Sequence, residues 1–227
     1  MNQPIRKKPA LRISPLETIG YTAAIKTFNM DKSTQVTPEL QKHLKRLFES
    51  FCTGIRSVKA VKPKHYLEEK GLDYRKLNIG FCSGQFHHRK SEEWRKPYID
   101  LGILTPSKAP VNYPSRKAYT CFGFYSVVFP LMNQQNQIVN LFAIRIKLAQ
   151  QKEEYLNTEG VYPCYPSLLT RRLYITSTII EAASIVQSGT LDSRESVIAL
   201  NNGNWLPQHK ELISGLEQLE EIIRVKN

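Results

Sequence analysis

Ser177 and Glu181 stand where a strand hands over to a helix. Leu173-Tyr174-Ile175-Thr176 reads as a buried strand, and Thr178 to Val186 follows at once as a helix-like run. A hydroxyl, Ser177, occupies the end of the strand, and Glu181 sits four positions on. Glu181 is either a functional acid or a first-turn acid favoured by the helix dipole. No aspartate follows Asp192. Cys82, His87 and His88 carry donor atoms for a metal, or form a loop with chance histidines. The four cysteines, Cys52, Cys82, Cys121 and Cys164, make no C-x-x-C pair, which argues against a zinc ribbon. They are expected to be reduced and at least partly buried. Arg145 and Lys147 end an otherwise apolar strand and either contact phosphate or lie in solvent. Phe122, Phe124 and Tyr125 interleave with Arg116 and Lys117, a pattern able to stack bases and bind phosphates, or else a core cluster. Trp205 follows the turn Asn201-Asn202-Gly203-Asn204 at the end of a predicted strand, and either lines a cleft or packs on the sheet.

The elements that must position these residues change period along the chain. Met1 to Val36 is basic and weakly patterned, a loose arm with one ordered piece around Ile19 to Phe28. Thr37 is an N-cap and Pro38 suits the first turn of a helix. Leu40, Leu44, Leu47, Phe48 and Phe51 then repeat at helical spacing, with Lys42, Lys45 and Arg46 on the outer face. A second helix is expected from Pro63 to Lys70 with Gly71 at C′, a short helical turn over Leu72 to Leu77, and a third helix from Lys90 to Leu101 closed by Gly102. Ile79 to Cys82 reads as a short strand. From Tyr119 the period becomes two: Tyr125 to Pro130 and Ile138 to Ile146 form a hairpin across the polar turn Asn133 to Gln137. Arg171 to Val225 alternates strand and helix, which predicts βαβ units on a parallel sheet.

Composition sets wide limits. The chain has 227 residues, is 41% hydrophobic and 23% charged, and carries a net charge of +12. No apolar run approaches the roughly 20 residues of a membrane span, and the N-terminus lacks an apolar signal region, so a cytoplasmic location without membrane association is expected. The positive charge favours a polyanionic partner through counterion release.

Six stretches in order resemble the catalytic core of DnaG-type bacterial primases. Tyr66-Leu67-Glu68-Glu69-Lys70-Gly71-Leu72 with Leu77-Asn78-Ile79-Gly80-Phe81 is similar to the start of that core. Leu101-Gly102-Ile103-Leu104 resembles its "AGLL", and Val127 to Leu131 with Gln137-Ile138-Val139 and Arg145 resembles its "RIMFPI … GGR" hairpin. Tyr155-Leu156-Asn157-Thr158 resembles "KYLNS", Leu173 to Val186 resembles "LLIVEGYFDVIAL", and Val197 to Asn201 resembles the strand before "GTALT". The resemblance implies an α+β primase-core subdomain over 37–170, a partial α/β Toprim-like subdomain over 171–227, and a basic arm over 1–36.

It also implies single-stranded nucleic acid as partner, with a helicase or replication protein beside it, in DNA replication or mobile-element transfer. The glutamine- and asparagine-rich style points to mobile elements. The departures bear on activity. Ser177 replaces the family's first metal-binding glutamate, Glu181 matches the acidic residue four positions on, and the later Asp-x-Asp is absent. Glu153-Glu154 stands where the family has Pro-Lys, and Tyr165-Pro166-Ser167 where it has "HKS". No catalytic residue and no metal ligand is therefore assigned, and magnesium is expected only if a partner chain completes the site. Arg116, Lys117, Arg145 and Lys147 are the expected nucleic-acid contacts. Two other readings stay open: one piece of a split active primase, or a scaffold kept for protein interaction.

Overall fold

The computed structural model describes residues 37–107, 119–146 and 152–225. Helix α1, Pro38–Arg56, starts where the sequence expects it. Thr37 Oγ1 accepts the Leu40 N–H at 3.3 Å, and Leu44, Leu47, Phe48, Phe51 and Ile55 form its buried stripe. α2, Val61–Glu69, ends at Gly71, whose φ is +70°. Leu72 to Leu77 is turn, not helix, and its leucines reach the core without one. β1 is Gly80–Cys82, α3 Glu92–Asp100 and β2 Leu104–Pro106. β3, Tyr119–Cys121, pairs with β2.

β4, Ser126–Met132, and β5, Ile138–Arg145, form the expected hairpin, and β6, Lys152–Tyr155, adds an edge. Together with β1 they make an antiparallel sheet in the order β1-β4-β5-β6. Alternation divides its side chains between two cores. Val128, Leu141 and Ala143 face α1 and α3. Val127, Phe129, Leu131, Phe142 and Ile144 face the other way. Helix α1 lies so close to β1 that a Cβ on Gly80 would come within 2.6 Å of Phe51 Cβ, so glycine is required there.

The remaining chain is a parallel three-stranded sheet in the order β8-β7-β9, with β7 Arg172–Thr176, β8 Glu195–Ala199 and β9 Glu221–Arg224. Helices α4, Ile179–Ser188, and α5, Pro207–Ser214, complete it. The mixed α/β architecture agrees with the expectation. The two halves share a core: Ile179, Ala182 and Ala183 of α4 and Val197 and Ala199 of β8 pack with Leu67, Val127 and Phe129. Gln187 adds an amide clamp, donating to Gly71 O at 2.9 Å and accepting from the Asp73 N–H. Among the described residues no helix is long and apolar enough to cross a membrane.

Candidate nucleic-acid interface

At the C-terminal end of β7 the candidate acid is already engaged. Glu181 Oε2 accepts the backbone N–H of Ser177 at 2.9 Å and of Thr178 at 3.0 Å, while Thr178 Oγ1 accepts the Glu181 N–H at 3.3 Å. This capping box satisfies donors that the first helical turn leaves open. Thr178-x-x-Glu181 is its sequence signature, so this role was legible from spacing. The neighbouring strand ends bring Asn201 to Asn204, whose Gly203 N–H reaches Ser177 O at 2.8 Å, and Arg224, whose guanidinium lies 5.9 Å from the Trp205 ring centre. Trp205 is half-buried and packs against the core around Leu173 and Ile198. A magnesium cage needs carboxylate and phosphate oxygens at near-octahedral geometry. A hydroxyl, amides and a guanidinium around one committed carboxylate do not fit that ion. Among the described residues no group of three or more His, Cys, Asp or Glu is placed to hold any metal. Cys82 instead lies 3.8 Å from Cys121, Sγ to Sγ. Cys52 and Cys121 agree with the expected burial, but Cys164 is exposed.

Arg145, at the end of β5, pairs across the sheet with Ser126. It shares the face of Leu141 and Ala143, which meets α1, and so lies on the opposite face from the one that packs against α4. Glu154 on β6 dominates its surroundings. The carboxylate stands 3.9 Å from Arg145 Nη2 and 3.1 Å from Lys152 Nζ, and accepts the Gly123 N–H at 2.8 Å. Arg145 Nε is buried without a hydrogen-bond partner. A cation held by a carboxylate offers less charge to a phosphate, and the resemblance read from the sequence sets Glu154 where a lysine would stand. Sequence reading noted that exchange but missed the ion pair. No linear signal marked it, because Lys152 to Tyr155 lacks strand-like composition and Glu154 meets Arg145 only once β6 pairs with β5. Arg116, Lys117 and Lys147 lie outside the described residues, as does the arm at 1–36.

Net charge is unevenly divided. Residues 1–151 hold 25 Lys and Arg against 10 Asp and Glu, whereas residues 152–227 hold 7 against 10. On the outer face of α1, Lys42, Lys45 and Arg46 are exposed and make no ion pair among the described residues. The acids of the second half, by contrast, hold Arg171 and Arg172: Glu220, Glu195 and Glu221 all bridge to them. The electrostatic attraction for a polyanion therefore resides in the first two thirds of the chain.

The halves meet over a common core. A void of only about 10 Å³, lined by residues including Leu131, Tyr155, Tyr162, Ile179 and His209, lies along it. His209 is 2% exposed, its Nδ1 accepts the Leu206 N–H at 3.1 Å, and burial pulls its pKa down to about 4. The unfolded chain then binds the extra proton between its ordinary pKa near 6.5 and about 4. Stability should fall as pH drops through that window, by at most about 1.4 kcal/mol per pH unit from this group. Urea titrations from pH 7 to pH 4.5 check this, and His209→Gln should flatten the dependence. An equal slope in the variant would assign the effect to other groups.

Comparison with solved structures places this geometry. A DnaG primase catalytic domain bound to ssDNA superposes with a TM-score of 0.63 at 16% identity, covering 82% of this chain and 60% of that one. A DNA primase domain from Pseudomonas aeruginosa gives the same figures: 0.63, 16%, 82% and 60%. The RNA polymerase domain of Mycobacterium tuberculosis primase DnaG, in complex with double-stranded DNA, gives 0.65 at 14% identity, with 84% and 64% covered. The fold is that of a DnaG-type primase catalytic core. At these identities the likeness speaks for the fold alone. The chain spans about three fifths of each of these primase structures. No family model matches the chain, and no curated protein matches it significantly.

Proposed function

We propose that this chain is a primase-like, Toprim-derived protein that binds single-stranded nucleic acid during DNA replication or mobile-element transfer, without metal-dependent nucleotidyl transfer of its own. In this reading residues 37–170 are the primase-core part, 171–227 the partial Toprim part and 1–36 a basic arm. The observation that carries it is a primase-core fold whose positive charge is concentrated in residues 1–151. The absence of transfer chemistry rests on Ser177 at the strand end and on Glu181 locked into the helix cap. Carboxylates from beyond residues 1–227 would have to reach that edge for magnesium to bind.

Salt titration of binding to single- and double-stranded oligonucleotides tests the reading. A single-strand binder prefers the single strand, and its affinity falls with salt at about 0.7 per phosphate contact on a log–log plot. Equal, weak binding to both forms would favour a protein-interaction scaffold. Glu154→Gln sharpens the test. It removes the anion between Arg145 and Lys152 but keeps an amide oxygen for the Gly123 N–H. Affinity for the single strand should rise and the salt slope steepen by roughly one contact's worth. An unchanged slope would place the phosphate path away from β5 and β6.

A further inference from the structure

We propose that the turn Gly123-Phe124-Tyr125 is a stacking platform for unpaired nucleobases. This site rests on the single-strand reading above and gives it an address. The three aromatic residues of the segment part company in the fold. Phe122 packs into the core under α1. Phe124 remains 39% exposed, and Tyr125 is half-buried beside it. The Phe124 and Tyr125 rings lie 6.4 Å apart at 44°, and Tyr125 meets Phe81 edge-on at 5.3 Å. Three rings thus run from the surface to the sheet.

The backbone holds this arrangement at some conformational cost. Tyr125 has φ +54°, in the left-handed region that a bulky side chain avoids. Such conformations persist where the surroundings over-determine them, and they gather at functional sites. Here the surroundings are explicit. Ser126 Oγ donates to Phe124 O at 3.3 Å, Ile146 N–H to Tyr125 O at 3.1 Å, and Gly123 N–H to Glu154 at 2.8 Å. Gly84, at φ +81°, makes the seat for Phe124: a Cβ there would stand 2.1 Å from Phe124 Cδ2. The ring therefore rests on bare backbone, supported from beneath and pre-positioned.

Two cations are tied to the same turn through Glu154. Glu154, which accepts the Gly123 N–H, also holds Lys152 Nζ at 3.1 Å, and Arg145 ends the strand that bonds to Tyr125 O. Fixed aromatic faces near cations form the chemistry of sequence-tolerant single-strand binding, in which every base offers a π face. A duplex keeps its bases stacked on one another and cannot use such a platform.

The test uses the full chain and a 20-nucleotide oligothymidylate carrying one 2-aminopurine, with a duplex of the same length as control. Phe124→Leu keeps apolar bulk over Gly84 and removes the π face. Single-strand affinity should fall by roughly tenfold, the loss of about one base stack. The salt slope and the duplex affinity should not move, and the 2-aminopurine signal change on binding should shrink. Phe124→Trp should restore all three readouts. Wild-type affinity in Phe124→Leu, or a loss shared equally by duplex and single strand, overturns the platform while leaving the proposed function standing. A wild-type chain with no preference for single strands overturns both.

Discussion

Phe129→Ala should cost the fold about 3–5 kcal/mol and should weaken both halves of the chain together. Phe129 is wholly buried in β4. Its ring lies 5.6 Å from Tyr162 at 90° and 6.2 Å from Phe142, within the core that also contains Ile179, Ala182 and Val197. Truncation removes contacts to the antiparallel sheet and to the parallel one at once. Two natural reporters stand on opposite sides of the seam: Trp94 in α3 and Trp205 after the Asn201–Asn204 turn. Single-tryptophan versions of the chain should show coincident urea transitions, and Phe129→Ala should shift both midpoints alike. A shift at Trp205 with Trp94 unmoved would mean that the halves unfold separately.

Asn140→Ala should be nearly as damaging, for polar reasons. Asn140 is 1% exposed and makes four bonds. Its Nδ2 donates to Asn157 O at 2.8 Å and to Glu159 O at 2.9 Å. Its Oδ1 accepts the N–H of Leu141 at 2.8 Å and of Asn157 at 3.0 Å. Each buried group left without a partner costs about 1–3 kcal/mol, and water can reach some of them from the exposed side of the 157–159 turn. A loss of about 3 kcal/mol in total follows from that range. Asn140→Asp keeps the two acceptor contacts but sets a carboxylate oxygen against Asn157 O and Glu159 O, so near neutral pH it should cost at least as much as Asn140→Ala. Hydrogen exchange at Asn157 and Glu159 should speed up before global unfolding does. Unchanged protection in Asn140→Ala would show that Asn157, which donates to Val139 O at 2.9 Å, holds the turn by itself. The Tyr155–Thr158 stretch that resembles the primase motif is thus anchored by a buried amide.

Much of the architecture was legible because local signals and tertiary packing agreed. Thr37, Pro38 and the Leu44-Leu47-Phe48-Phe51 stripe specify α1 without help from the rest of the chain. The β4–β5 hairpin is equally plain, since both strands are apolar along nearly their whole length. β6 was illegible for the opposite reason. Lys152-Glu153-Glu154-Tyr155 has no strand-like composition, and it is a strand only because β5 offers an edge to pair with. β2 and β3, three residues each, fall below the length at which periodicity means anything. At the site, a hydroxyl rather than a carboxylate at the strand end could be read from Ser177 alone. That Glu181 caps the helix could be read from the Thr178-x-x-Glu181 spacing, but that Glu154 quiets Arg145 depends on a distance between strands that linear spacing does not encode. The left-handed Tyr125 leaves no sequence trace either, because the residue type argues against it.

The core shared by α4, β8 and the antiparallel sheet has a kinetic consequence. With Phe129 and its neighbours interlocked across the seam, and with Gln187 clamping Gly71 and Asp73, the described residues leave no hinge there about which one half could close on a ligand. A strand arriving from solution would meet a finished surface. Association should then follow a single bimolecular step, its rate governed by long-range attraction and falling with ionic strength, with no concentration-independent phase behind it.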